Sequence, residues 1–274
     1  MKRMKKMALG AIIMTMMITS CGTTQTVPLT GRTHRISVSD EQVLSLSNQE
    51  YTKYMATAKK STNAQHTAMV QRVGRKLATA VETYLKQNGF ANDVKNYAWE
   101  FNLVQDKSAN AFCMPGGKIV VYEGLLPYTQ NETALAIVLG HEIAHAVAKH
   151  SAEQLTKQQN QQVGTNILGN VLNQAVGSGV GDLASAMAGQ YFSFRNLKYS
   201  RDNETEADYM GLIFAAMAGY DPQQAIPFWK RMSQGSGGNQ NDIFSDHPSD
   251  AKRIAALQKE MPTAMKYYQQ AKKK

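Results

Sequence analysis

The chain is short of three things. It has only two cysteines in 274 residues, Cys21 and Cys113, which excludes a disulfide framework. It has no acid among its first six residues, where Lys2, Arg3, Lys5 and Lys6 stand. The apolar stretch that follows, Met7 to Thr19, is 13 residues long, where a membrane-spanning helix needs about 20. What is present, 43% hydrophobic and 19% charged residues, is enough to bury a core and excludes a disordered chain. The formal charge of +9 invites a nucleic-acid partner, but its distribution removes the suggestion. Without residues 1–20 the charge falls to +5, and the terminal Lys272-Lys273-Lys274 run supplies three of those. A balance so close to neutral gives no support for nucleic-acid binding.

A basic start followed by a short apolar run reads as a secretory signal peptide over residues 1–20. It ends in Ile18-Thr19-Ser20-Cys21, which resembles the bacterial lipoprotein signal. That resemblance implies cleavage before Cys21, acylation of its thiol, and attachment to a membrane through the lipid anchor, each buried methylene adding about 0.8 kcal/mol. An uncleaved N-terminal anchor with an incidental cysteine is the alternative. Residues 21–40, rich in Thr, Ser, Gly and Pro, read as a lipidated Cys and flexible tether, and 41–274 as a single domain. Gly22 follows Cys21 in place of Asp, which by resemblance to sorting signals of Gram-negative bacteria implies the outer membrane, facing the periplasm. With Cys21 acylated, Cys113 has no intrachain partner and is expected to be a buried, inert thiol.

Val70, Val73, Leu77, Val81 and Tyr84 form a stripe at helical spacing over 64–88, and Asn88-Gly89 stops it. Trp99, Phe101 and Leu103 alternate with polar residues as a strand does, and Lys118 to Tyr122 is a second strand entered through Pro115-Gly116-Gly117. Beyond residue 130 the pattern is helical except over 157–190, where glutamines, small apolar residues and glycines alternate. That stretch is too broken for a span and too apolar for a linker. It reads as a lid or plug, or as two ordinary helices with a Gly-rich turn.

The chemistry is carried by His141-Glu142-Ile143-Ala144-His145, an H-E-x-x-H pattern. Thr129-x-x-Glu132 fits a capping box, and Ala134, Ile137, Val138, His141, Ala144 and His145 continue as one helical stripe. Both imidazoles then share a face, one turn apart, and can reach one tetrahedral Zn2+. Glu142 is placed to take a proton from a metal-activated water. Two histidines leave the metal short of a ligand. In Asp202-Asn203-Glu204-Thr205-Glu206-Ala207-Asp208, Glu204 and Asp208 are i and i+4 on one face, whereas Glu206 is turned about 200° from Glu204. Glu204 is therefore assigned as third ligand and Asp208 as the carboxylate that accepts a hydrogen bond from a liganding His. Glu206 is expected in solvent, and His34, His66 and His150 at the surface.

At this point the sequence resembles metallopeptidase family 48, which includes the CAAX prenyl proteases, HtpX and the BepA-like and LoiP-like proteases. The resemblance rests on His141 to His145, Glu204 to Asp208, Asn110-Ala111-Phe112-Cys113-Met114-Pro115-Gly116-Gly117, and His247-Pro248-Ser249 with Arg253-Ile254. It covers about 150 residues, and the short form here looks most like the secreted, lipid-anchored subgroup. It implies an α+β, mainly helical, zincin-like (gluzincin) fold whose small sheet has an edge strand lining the cleft. That strand, within Asn110 to Tyr122, would pair with substrate backbone through Asn110, Ala111 and Phe112. It implies one Zn2+ per chain and, for His247, a role as proton donor, oxyanion stabiliser or resting-state ligand. An ordinary histidine before the helix that Pro248 begins is the alternative.

The expected function is a zinc endopeptidase of the bacterial envelope that hydrolyses unfolded or misassembled envelope proteins, with 157–190 as candidate plug. A zinc-containing chaperone or binding lipoprotein without essential proteolysis is the alternative. No motif for binding a substrate amine supports an aminopeptidase.

Overall fold

A computed structural model describes residues 22–161, 193–235 and 251–273. The expectations for Cys21, for residues 162–190 of the lid and for His247 fall outside the described residues. The described part is mainly helical with two small sheets. Among the described residues, no helix is long and apolar enough to cross a membrane.

The described part of the expected tether is built into the domain. Strands β1 (Thr23–Thr26) and β2 (Thr33–Ile36) pair antiparallel, with Thr23 opposite Ile36 and Thr26 opposite Thr33. In β2 every second residue points inward, as strand geometry requires, so His34 and Ile36 are buried. Val27 joins the main core while Ile36 and Val38 join a second cluster. Threonine suits a half-buried strand as well as a loop, so composition alone read this hairpin as linker. Helix α1 (Asp40–Thr57) follows at once, started by a capping box in which Ser39 and Gln42 exchange hydrogen bonds.

Helix α2 (Ala64–Gln87) is capped by Asn63 and lays its expected stripe of Val70, Val73, Leu77 and Val81 into the core. It packs on a three-stranded sheet of order β3-β5-β4, comprising β3 (Glu100–Val104), β4 (Ala111–Met114) and β5 (Lys118–Tyr122). Strand β5 runs parallel to β3 and antiparallel to β4. The expected edge segment 110–122 is thus two strands, with only β4 at the edge and β5 central. Every residue of β5 is buried, because Ile119 and Val121 face the main core while Val120 and Tyr122 face the second cluster. The turn between β4 and β5 needs its glycines: Gly116 and Gly117 have φ of +86° and +82°, where a side chain is strained.

After a one-turn helix, α3 (Leu126–Thr129), comes the central helix α4 (Glu132–Val147). Its N-cap is Asn131, whose side chain accepts from the Ala134 N–H, in place of the expected Thr129; Thr129 closes α3 and bonds the Leu126 carbonyl. Thirteen of the sixteen α4 residues are buried, so this is a helix covered on every side rather than a surface helix with one apolar stripe. A break at residues 148–149, with Lys149 at φ +54°, separates it from α5 (150–161). The start of the expected lid, 157–161, belongs to α5, and Gln159 accepts a hydrogen bond from Ser37. Helices α6 (Arg201–Met217), α7 (Ala225–Gly235) and α8 (Ala251–Ala271) complete the described chain.

Candidate metal centre

Two helices bring the expected ligands together. Helix α6 starts at Ser200, which exchanges capping hydrogen bonds with Asn203, so Glu204 stands in its first turn, where the helix dipole favours a carboxylate. Glu204, Asp208 and Gly211 are spaced i, i+4, i+7 and share one face. That face meets α4 at Gly140, where a Cβ on Gly211 would lie 2.5 Å from the His141 backbone nitrogen and one on Gly140 2.6 Å from the Gly211 carbonyl oxygen. The backbones touch, and the turns beside the contact carry the side chains that could hold a metal.

His141, His145 and Glu204 each aim a ligating atom at one point. The two Nε2 atoms are 3.1 Å apart, His141 Nε2 is 3.5 Å from one Glu204 oxygen, and His145 Nε2 is 3.4 Å from the other. Tetrahedral ligands about 2.0–2.1 Å from zinc lie about 3.3 Å from one another, so the spacing fits that ion. Both imidazoles are buried, and burial opposes charge on each. On His141 the hydrogen bonds to Asp208 and Glu204 outweigh burial and raise the pKa above the ordinary imidazole value. On His145 burial prevails, aided by His141 and His150, and the pKa falls well below it. Two inward-facing ring nitrogens beside a carboxylate suit a divalent cation, which replaces protons at such a site.

The other nitrogens are held from behind. His141 Nδ1 lies 3.0 Å from Asp208 Oδ1, and Arg253 donates to the same oxygen. Arg253 is itself buried, with its guanidinium 3.6 Å above the Trp229 ring. His145 Nδ1 lies 2.9 Å from His150 Nδ1, and His150 Nε2 lies 3.0 Å from Glu206 Oε2. Three expectations are corrected here. His150, expected at the surface, has no exposed area, and Glu206, expected in solvent, is 8% exposed and bonded to Thr30 and Arg32 of the hairpin. His34, expected at the surface, is likewise buried against Glu153. On a continuous helix His145 and His150 would sit about 140° apart; the break at 148–149 lets the rings meet, which a periodicity reading cannot show.

Glu142 is buried and lines a small cavity with Asn110, Ala111, Phe112 and Cys113 of β4 and its approach, and with Phe194, Arg195, Leu197 and Tyr199. Asn110 holds the strand entrance, its side chain accepting from the Ala111 N–H and its carbonyl from the Tyr122 N–H. Cys113 is buried as expected, and burial with the nearby Glu142 carboxylate pushes its thiol up. Segment 193–199 lies along β4, held by Glu50 through Ser193 Oγ and the Phe194 N–H. Tyr199 stacks on the His145 ring at 4.1 Å and its hydroxyl meets Ser151 at 2.9 Å. Sequence reasoning missed Tyr199, His150, Glu206, Arg253 and the glycine pair as parts of the site. A histidine five residues after the motif was a visible signal; Tyr199 offered none.

Residues 44–261 match the model of peptidase family M48. The chain belongs to that family. Among curated relatives, the mitochondrial metalloendopeptidase OMA1 of Schizosaccharomyces pombe is 36% identical over 187 residues, covering 67% of this chain and 53% of the relative. The Arabidopsis thaliana protein of the same name is 37% identical over 172 residues, covering 63% and 33%. The β-barrel assembly-enhancing protease of Yersinia pestis is 27% identical over 190 residues, covering 64% and 38%. The chain thus spans about half or less of the length of these relatives.

These matches correct one expectation. The sequence reading places the chain in a bacterial cell envelope, at an outer membrane facing the periplasm, whereas the stronger similarities are to mitochondrial proteases and the bacterial ones rank below them. The residue after Cys21 was too slight a basis for a location.

Proposed function

We propose that this chain is a zinc-dependent endopeptidase of zincin-like (gluzincin) type, anchored through acylated Cys21, that cleaves unfolded or misassembled proteins. The carrying observation is the convergence of His141, His145 and Glu204 at tetrahedral spacing, with Glu142 buried beside them at the edge strand. Membership of the peptidase family and the metalloendopeptidase names of its relatives support the reading.

His141, His145 and Glu204 would hold one Zn2+ per chain, which would supply Lewis acidity to acidify a water and polarise a carbonyl. The protein's own residues do the rest. Where segment 193–199 along β4 gives way, the outer edge of that strand would offer backbone groups to an extended peptide, with Asn110, Ala111 and Phe112 setting its register. An extended segment is required, because a folded substrate has its own strands paired. Glu142 takes the proton of the attacking water and delivers it to the leaving amine. Asp208 and His150 hold the two imidazoles in place.

The reading is tested by removing metal with a chelator and assaying cleavage of an unfolded protein before and after adding zinc. Activity is expected to vanish and return with one equivalent of zinc per chain. Cleavage that persists in metal-free protein would overturn it.

A further inference from the structure

The two proposed imidazole ligands are supported differently. His141 leans directly on a carboxylate, Asp208. His145 leans on another imidazole, and the carboxylate comes one step later: His145 Nδ1 to His150 Nδ1 is 2.9 Å, His150 Nε2 to Glu206 Oε2 is 3.0 Å. Glu206 is gripped by the N-terminal hairpin, through the Thr30 hydroxyl at 2.6 Å and Arg32 Nε at 2.8 Å. Arg32 also donates to Glu153 at 2.9 Å.

With a metal on His145 Nε2, one arrangement of neutral imidazoles satisfies both of these histidine bonds. A His145 that offers Nε2 to a metal carries its proton on Nδ1, and that proton needs an acceptor. His150 Nδ1 stands at hydrogen-bond distance and must then be unprotonated, which puts the His150 proton on Nε2, facing Glu206. A side chain that can only donate, such as lysine, would break the pattern, and an apolar one would strand a buried N–H.

We propose that His150 is a positioning residue for the metal centre: it fixes the tautomer and ring plane of His145, and Glu206, held by Thr30 and Arg32 of the hairpin, fixes His150. The inference rests on the zinc reading above. The hairpin is thereby part of the support of the site, although none of its residues reaches the metal.

The test is the zinc affinity of the full chain, measured by competition with a chromophoric chelator, with circular dichroism confirming the fold of each variant. His150→Phe keeps the ring volume without an acceptor and is expected to weaken zinc binding about 10–100-fold. His150→Asn returns a carbonyl oxygen near the place of Nδ1 and is expected to recover most of that loss, which a merely space-filling role would not do. The visible absorption of the cobalt-substituted protein is expected to shift in the phenylalanine variant and return towards wild type in the asparagine variant. Wild-type affinity in His150→Phe, or an asparagine variant no tighter than the phenylalanine one, would overturn the proposal. If His150→Phe does not fold, Glu206→Gln is the deciding variant: a smaller loss of affinity is expected, and an unchanged one would overturn it. A wild-type chain that binds no zinc would instead defeat the zinc reading itself.

Discussion

Gly140 and Gly211 meet backbone to backbone, with the position of a Gly211 Cβ only 2.5 Å from the nitrogen of His141. This contact sets the distance between the helix that carries both histidines and the helix that carries Glu204 and Asp208. Gly211→Ala forces the helices apart, since the neighbour is backbone and has no rotamer to change. A loss of stability of about 1–3 kcal/mol is expected from overpacking, together with weaker zinc binding. Thermal unfolding of the metal-free protein and a zinc titration check the two parts separately.

Asp208 serves His141 and Arg253 at once. Asp208→Asn keeps the shape but removes the charge opposite a buried guanidinium, and breaking such a pair costs about 3–5 kcal/mol. Zinc affinity is expected to fall about 10–100-fold. Chemical denaturation and chelator competition are the measurements, and a variant with wild-type values in both would show that the pair is incidental.

Glu153 of α5 holds that helix to the hairpin through Arg32 and His34, and pairs with Lys157 one turn further along α5. Burial acts to raise its pKa, but the hydrogen bonds from His34, Lys157 and Arg32 outweigh it and hold the carboxyl well below the usual carboxylate range. A carboxylate with a depressed folded-state pKa stabilises the fold above its unfolded value, near 4.5, and loses that contribution as pH falls below it. Stability is therefore expected to drop on acidification from about pH 4.5, and Glu153→Gln to show a shallower drop. Glu153 is buried, and the comparison of slopes in urea denaturation is the measurement.

Metal that binds only the folded chain stabilises it by mass action, about 4 kcal/mol at a thousandfold excess over Kd. A chelator is expected to lower Tm markedly, and zinc to restore it. The Glu204→Gln variant should show a much smaller response to either, because only the two imidazoles then remain fully able to ligate.

Much of this site was legible because its chemistry is local. His141 and His145 are one turn apart on one helix, and Glu204 and Asp208 one turn apart on another, so helical spacing alone placed each pair on a shared face. Strand β5 and the stripe of α2 were equally plain, being runs of apolar residues at a strand or helix period. What spacing cannot show is contact between elements. His150, Glu206 and Arg253 became part of the site only because a helix break, a hairpin and a return helix bring them there. The hairpin itself was concealed by its threonines, which are common to loops and strands. Thr129 matched a capping pattern that Asn131 satisfies in the fold, because both residue types can cap and the backbone chooses.

The central claim is that Glu142 works as the base beside a zinc ion held by His141, His145 and Glu204. The most direct measurement is zinc content and cleavage of an unfolded protein in the same preparations of wild type and Glu142→Gln. The account predicts one zinc per chain in both, with cleavage by the wild type and a loss of at least a hundredfold in the variant, within the range of about 10²–10⁴ that a positioned acid–base group contributes. Zinc-loaded Glu142→Gln that cleaves at the wild-type rate would contradict it.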